Sequence, residues 1–439
     1  GSAMDRYYHS VTLDKDKCVG CTNCLKRCPT EAIRVRGGRA HIIDERCIDC
    51  GECIRVCEHH AKIANTNPLS AINGFPYKIA LPAPSLYGQF KNLRSISDVI
   101  EGLKMMGFDA VYEVARGADI VSVAVMERMK EPDCPRPLIS SSCPAVVRLI
   151  QTRFPELIDN IVDVRSPMEV AASQARSEFA REKGVDPKDV GCFFITPCAA
   201  KMTAIRKPLG HEKSAVDGAI SFLEVYGLLS GQIKKAVKPE DAPSPRATSF
   251  GIGWARTGGE AGAVQQEESL AVDGIDNVIR VLEEIEDNRL PGLRFFEGMA
   301  CFGGCIGGPL SFENPFIARN RIRKLVLSLP KVRPQDVVSP EEISGMADEI
   351  FCDKPLEPVK VMQLGKDVRE ALHNMERVEE LSKKLPGLDC GSCGSPSCQA
   401  LAEDIVLGYA TEMDCLVLLK ERLRQMAHQM VEMSETTRK

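Results

Sequence analysis

The stretch 18-CVGCTNCLKRCPTEAIRVRGGRAHIIDERCIDCGECIRVC-57 holds eight cysteines in two copies of C-x2-C-x2-C-x3-C. The first copy is Cys18, Cys21, Cys24 and Cys28, followed by Pro29; the second is Cys47, Cys50, Cys53 and Cys57. In such a run three closely spaced thiolates wrap one cubane, and the fourth reaches across to the neighbouring cluster. The spacing therefore assigns Cys18, Cys21, Cys24 and Cys57 to one [4Fe–4S] cluster, and Cys47, Cys50, Cys53 and Cys28 to the other. Zinc is the alternative, but zinc sites usually show two C-x2-4-C pairs instead of two four-cysteine runs. A module of this kind moves single electrons.

Composition narrows the class. The 439 residues are enough for about three domains, and a hydrophobic content of 44% allows a full-sized core. A formal net charge of −5, no basic tract and a single Trp exclude nucleic acid as the expected partner. No apolar run approaches the ~20 residues of a membrane span. No secretory leader is read, and Gly1 to Met4 reads as an expression scar. Nineteen cysteines without a leader fit a reducing, cytoplasmic setting in which thiolates bind metal instead of pairing.

Three domains are expected. Residues 5–70 form a ferredoxin-like α+β module with two [4Fe–4S] clusters, its short β pieces being "AIRVRGG" and "AHIID". The polar stretch "ANTNPLSAINGFP" punctuates the chain after it. Over 75–365, β-rich runs ("YKIALP", "DAVYEV", "PLISSS", "GCFFIT", "ATSFGIGW", "RFFEGM") alternate with amphipathic helices ("ISDVIEGLKMMG", "PAVVRLIQTRF", "GIDNVIRVLEEIED"). That alternation predicts an α/β domain with two lobes of mostly parallel sheet, and "EDAPSPR" at 240–246 is a loop within it. Residues 366–439 are expected to be a small helical domain. Val368, Leu372, Met375, Val378 and Leu381 make one helical stripe there, and a last helix runs from about Ala400 almost to the end. Its Leu416, Leu419, Leu423, Met426, Met430 and Met433 read as core or as the seam of a homodimer, not as a cofactor box.

Four cysteines of the central region each follow a predicted strand: Cys143 in "SSSCP", Cys198 in "TPCAAK", and Cys301 and Cys305 in "EGMACFGGCIGG". Carboxyl ends of parallel strands are where α/β domains build their sites. Gly303 and Gly304 let thiolates come close to a bulky inorganic group. Singly, each cysteine could be a buried apolar residue; together they read as a ligand set. These three loops resemble the signature loops of the [FeFe]-hydrogenases, in order and at sensible separations. The resemblance covers roughly residues 5–365 and implies an H-cluster: a [4Fe–4S] cluster on Cys143, Cys198, Cys301 and Cys305, bridged by Cys305 to a diiron unit with CO, cyanide and azadithiolate. It also implies that Ser85, in "APS", hydrogen-bonds one cyanide and that Lys201 pairs with the other. Met299 is expected beside the bridging CO. "WARTGG" resembles "FGxTGG", which would set Trp254 against the diiron site, an ordinary core aromatic being the other reading.

A third group, Cys390, Cys393, Cys398 and Cys415, is spaced C-x2-C-x4-C-x16-C. It resembles a small [4Fe–4S] domain found in corrinoid proteins and in sensory-type [FeFe]-hydrogenases, with three ligands on a Gly-rich turn and the fourth on the following helix. That makes three accessory clusters. Cys134, Cys192 and Cys352 read as structural, and the seven histidines (His9, His41, His59, His60, His211, His373, His428) as surface residues.

The chain departs from the family in its proton relay. Ser142 stands where the relay cysteine is expected, and a hydroxyl is a poorer proton carrier at neutral pH than a thiol. The two relay glutamates fall at Val125 and Arg128, although a slip of register brings Glu127 to one of these places. The relay serine falls at Val162, and Ala204 replaces a further glutamate. The resemblance and these departures together imply a slow hydrogenase, with H2 and protons as substrates and a role in H2 or redox sensing. Its electrons or signal would pass to ferredoxin or to a separate signalling protein, since no output domain is read after the last helix. Two rivals remain: a catalytic ferredoxin-linked hydrogenase with a nonstandard proton path, and an iron–sulfur carrier or assembly protein without the diiron unit.

Overall fold

The β-rich runs of the central region become strands wherever they alternate or stay apolar between breakers. In the computed structural model, which describes residues 8–235, 246–361 and 364–436, eleven strands form four sheets. Gly1 to Met4, and all of the 240–246 loop except Arg246, lie outside the described residues. β1 (Val11–Leu13) pairs with β4 (Lys62–Ala64), and β2 (Ile33–Arg36) pairs antiparallel with β3 (Arg39–Ile42). β5 (Tyr77–Pro82), β6 (Ala110–Val111), β8 (Val190–Thr196) and β9 (Gly218–Ser221) form an all-parallel sheet in the order β6-β5-β8-β9. β7 (Leu138–Ile139), β10 (Ser269–Asp273) and β11 (Phe295–Met299) form a second parallel sheet, β10-β11-β7. Every residue of β8 is buried, as expected of a strand covered on both faces by crossover helices.

The chain divides into two compact units. One comprises 1–11, 48–51 and 64–359 and contains both parallel sheets. The other comprises 12–47, 52–63 and 360–439, so the first cysteine-rich segment and the last share one unit although the sequence predicts separate domains for them. Asp404, 6% exposed, joins them: its carboxylate accepts from Arg34 Nε at 2.7 Å, Arg36 Nη2 at 2.9 Å and Ser395 Oγ at 2.8 Å. Arg46 pairs with Glu403 at 3.0 Å, and Val35 N donates to Gly394 O at 2.8 Å. A Cβ at Gly394 would lie 1.9 Å from Val35 O, and its φ is +83°, so this approach requires glycine.

Four local expectations are corrected. "ATSFGIGW" is not a strand: Ser249–Gly253 is a short helix, capped by the Thr248 side chain accepting from Gly251 N. Its glycines let it lie against the Val114–Met129 helix, where a Cβ on Gly251 would meet Ala115 O at 2.2 Å. The four strands absent from the sequence reading, β1, β4, β9 and β10, have five residues or fewer. The last helix is two helices, Cys398–Val406 and Leu416–Thr436, broken by Gly408 at φ +81° and a Thr411–Asp414 capping box. Finally, His9 and His211 are buried: His9 Nδ1 lies 2.8 Å from Asp49 Oδ2, and His211 Nε2 lies 3.5 Å from Glu169 Oε1. No helix among the described residues is long and apolar enough to cross a membrane.

Candidate functional site

The loops after β5, β7, β8 and β11 converge on one cavity of about 90 Å³. Its walls carry Cys143, Cys198, Cys301 and Cys305 together with Ser85, Ser142, Lys201, Trp254 and Met299. Local structure puts each thiol there. Cys143 precedes the helix Pro144–Arg153, whose N1 proline fixes the turn, and Cys198 caps the helix Ala199–Arg206. Cys301 follows β11, and Cys305 opens a 3-10 turn after Gly304. At φ +90°, with a Cβ that would sit 2.8 Å from Thr257 N, position 304 admits only glycine. Burial pushes the Cys198 thiol up to about 11 and Cys305 up to about 12, with the neighbouring thiols adding to the rise. Such groups become thiolates at neutral pH only when a cation binds them.

Polar groups on the cavity wall fit an anionic, hydrogen-bond-accepting guest. The Ser85 side chain is wholly buried, and its Oγ has no hydrogen-bond partner among the described residues. An orphaned buried hydroxyl is costly unless a ligand satisfies it. Lys201, 9% exposed, donates from Nζ to Ser142 O at 2.8 Å and keeps two further N–H donors. Trp254 Nε1 donates to Ser122 Oγ at 3.0 Å, which fixes the indole edge while the ring walls the cavity. Met299, 5% exposed, closes another side.

Ser142 is not isolated. Its Oγ lies 2.9 Å from Ser140 Oγ and donates to Glu260 Oε2 at 3.1 Å; Ser140 Oγ donates to the same oxygen. Glu260 is 2% exposed and follows "WARTGG" directly; Glu297, wholly buried, sits on β11 with Oε2 accepting from Ala261 N at 3.0 Å. Burial raises both carboxyl pKa values, and the nearby Glu260 charge raises Glu297 further, while hydrogen bonds from the two serines oppose the rise at Glu260. A carboxyl held near neutrality can take and give a proton. Sequence reasoning missed Ser140, Glu260 and Glu297. A charge inside the apolar run "RFFEGM" was the one signal available for Glu297.

Three of the positions expected for the relay hold buried apolar side chains. Val125 and Val162 lie in one buried hydrophobic cluster, and Ala204 in another. Arg128 turns outward to Asp163 and Glu131 at 2.7 Å, and Glu127 pairs with Lys130 at 2.5 Å on the same helix. Both side chains are partly exposed and held in these ion pairs.

Cys18, Cys21, Cys24 and Cys57 line a second cavity, together with Lys62. Cys28, Cys47 and Cys53 belong to the same unit as these four, and Cys50 to the segment 48–51 of the other. Cys393, Cys398 and Cys415 pack around one small hydrophobic cluster, and the Cys390 and Cys415 thiols both act electrostatically on Cys393. Cys398 is the first residue of its helix, and Cys415 stands just before Leu416–Thr436 instead of on the helix after the turn. Of the remaining cysteines, Cys192 is fully buried within β8, while Cys134 and Cys352 are partly buried.

Residues 77–271 and 265–309 match the family described as "Iron only hydrogenase large subunit, C-terminal domain". The chain belongs to that family. Residues 10–58 match the family described as "4Fe-4S dicluster domain", and 385–417 the one described as "Putative Fe-S cluster", so this hydrogenase-family chain is an iron–sulfur protein. Iron hydrogenase 1 of Clostridium pasteurianum is 25% identical over 376 residues, covering 70% of this chain and 65% of that protein. The chain thus spans just under two thirds of that relative. The cytosolic Fe-S cluster assembly factor narfl of Xenopus tropicalis is 24% identical over 316 residues, 59% of this chain and 63% of that one. A variant of an [FeFe]-hydrogenase from Chlamydomonas reinhardtii has the same fold over 65% of this chain and 95% of its own, with a TM-score of 0.50 at 16% identity.

Proposed function

We propose that this chain is an [FeFe]-hydrogenase that interconverts H2 with two protons and two electrons, turns over slowly, and serves to sense H2 or redox state. The observation that carries the reading is the cavity on which four thiols, an orphaned Ser85 hydroxyl, Lys201 and Met299 converge. When bound, the H-cluster would supply the iron at which the H–H bond is cleaved and formed. In this reading Cys143, Cys198, Cys301 and Cys305 hold it, Ser85 and Lys201 donate to its anionic ligands, and Trp254 and Met299 keep water out. Ser142 Oγ holds the proton nearest the cavity, and Glu260 Oε2 accepts it. The serine is the slow step, because a hydroxyl gives up its proton far less readily than a thiol.

In the same reading the chain comprises a two-cluster module at 5–70, an H-cluster domain at 75–365 and a helical [4Fe–4S] domain at 366–439. Its three accessory clusters would carry electrons to ferredoxin or to a separate signalling protein. The helix Leu416–Thr436 supports a homodimer. Leu416, Leu423, Met426 and Met430 are all more than half exposed, and with Leu419 they keep the 3-4 spacing of a two-stranded seam. Light scattering of the Leu423→Asp, Met430→Glu double variant should return a monomer where the parent is a dimer.

The Ser142–Glu260 hydrogen bond also favours a second reading, a catalytic hydrogenase using this route at speed. Infrared spectroscopy of protein loaded with a synthetic diiron complex, under H2 and under argon, is the decisive test. Absence of CO and cyanide bands overturns the hydrogenase reading and leaves the carrier or assembly role. Bands that shift reversibly with H2 alongside slow turnover support the sensor; fast turnover with the native residues overturns it.

A further inference from the structure

The two cysteine runs are followed by matching sequences in which one position differs sharply. Cys28 is followed four residues later by Ala32, and Cys57 by Ala61. Both alanines are 1% exposed, and each donates its N–H to the preceding cysteine's Sγ at 3.3 Å. The two halves of the module therefore repeat the same backbone-to-sulfur hydrogen bond. The next residue opens a strand in each half: Ile33 opens β2, and Lys62 opens β4. Both side chains are 2% exposed. Where one half buries a branched hydrocarbon, the other buries an ammonium group.

Among the described residues, no hydrogen bond or ion pair compensates that charge. Lys62 Nζ is buried and has no hydrogen-bond partner among the described residues. An isolated buried cation is strongly unfavourable, and chains avoid it unless a counter-charge is present. Lys62 lines the cavity shared by Cys18, Cys21, Cys24 and Cys57. Its charge acts on the Cys24 thiol and also reaches Cys53. A cubane carrying four thiolates is an anion whose negative charge grows by one on reduction. A fixed positive charge beside it favours the reduced form.

We infer that Lys62 sets the reduction potential of the cluster held by Cys18, Cys21, Cys24 and Cys57, raising it above that of its neighbour and making it the electron reservoir of the two-cluster module. The inference rests on that ligand assignment. Capturing one electron there is the whole step: the cluster gains the electron, and no bond is made or broken.

The test is a redox titration of the full chain, with the accessory clusters followed by electron paramagnetic resonance, in Lys62→Met, Lys62→Ile and Lys62→Arg. In Lys62→Met and Lys62→Ile, one accessory signal should move to lower potential by at least a tenfold change in its reduced-to-oxidised ratio, which is 59 mV for a one-electron couple. Lys62→Arg, which keeps the charge, should stay within twofold of the parent. A purely packing role for Lys62 predicts the reverse, because the larger arginine would disturb the site more than methionine does. If no accessory signal moves by as much as twofold in Lys62→Met while the iron content is retained, the inference is overturned and the ligand assignment stands. If Cys21→Ala leaves the accessory iron content unchanged, the assignment itself fails and takes the inference with it.

Discussion

Replacing Asp404 with Asn removes the charge that joins the two cysteine-rich segments while preserving the shape of the side chain. Three donors converge on Asp404 Oδ2 at 2.7–2.9 Å, two of them guanidinium groups. The Arg34 side chain is 6% exposed, so it would be left as an uncompensated buried cation; the Arg36 side chain is 31% exposed and can turn to water. Removing one partner of a buried ion pair costs about 3–5 kcal/mol, whereas a partly exposed pair contributes about 1 kcal/mol or less. Most of the loss in Asp404→Asn should therefore pass through Arg34, and Arg36→Met should cost far less. Urea unfolding followed by the visible absorption of the iron–sulfur chromophore, with limited proteolysis near residues 385–417, reads this directly. The expected result is earlier loss of the C-terminal chromophore by about 3 kcal/mol in Asp404→Asn. A shift below about 1 kcal/mol, or an Arg36→Met effect as large, would refute the reasoning.

Other substitutions probe the site and its surroundings. Glu260→Gln keeps the two serine hydrogen bonds but cannot carry a proton, so H2 evolution should fall by about 10²–10⁴-fold with little change in infrared bands; Ser142→Cys should raise it. Asp119 is buried and accepts from Thr248 N at 2.8 Å; burial pushes its pKa up to about 6 from an ordinary 3.8, against the pull of the Thr248 bonds. Between those values the folded state binds more protons than the unfolded one, so stability should fall as pH rises from about 4 to 6, by roughly 3 kcal/mol in all. The slope of urea midpoints against pH should flatten there in Asp119→Asn. Gly394→Ala should release the C-terminal segment, detected as rapid proteolysis, because its Cβ would overlap Val35 O.

Ligation was legible because it needs cysteines a few residues apart, and such spacing is written into the sequence. The strands of the parallel sheets were legible where a mostly apolar run lies between breakers, as in β5, β8 and β11. What escaped was chemistry made by distant residues. The hydrogen bond from Ser142 to Glu260 spans 118 positions and depends on a helix start after two glycines, which resembles any acidic first turn. The short helix at Ser249–Gly253 was hidden for a related reason: its apolar residues alternate like a strand, and only the Thr248 cap and glycine packing make it helical. The relay positions were easier, since Val125 and Val162 cannot carry protons in any fold.

The union of the chain's two cysteine-rich segments in one unit also governs how the protein is made. The contact between Arg34 and Asp404 spans 370 positions. At a synthesis rate of about 5–20 residues per second, the first segment waits roughly 20–75 s for the residues that complete its unit. During that interval Arg34 and Arg36 have no Asp404, and any cluster inserted early is held by a half-built module. Contacts of such long range are also slow to close. Insertion of clusters after release from the ribosome, with the large central unit folding first, is the order of assembly that this arrangement favours.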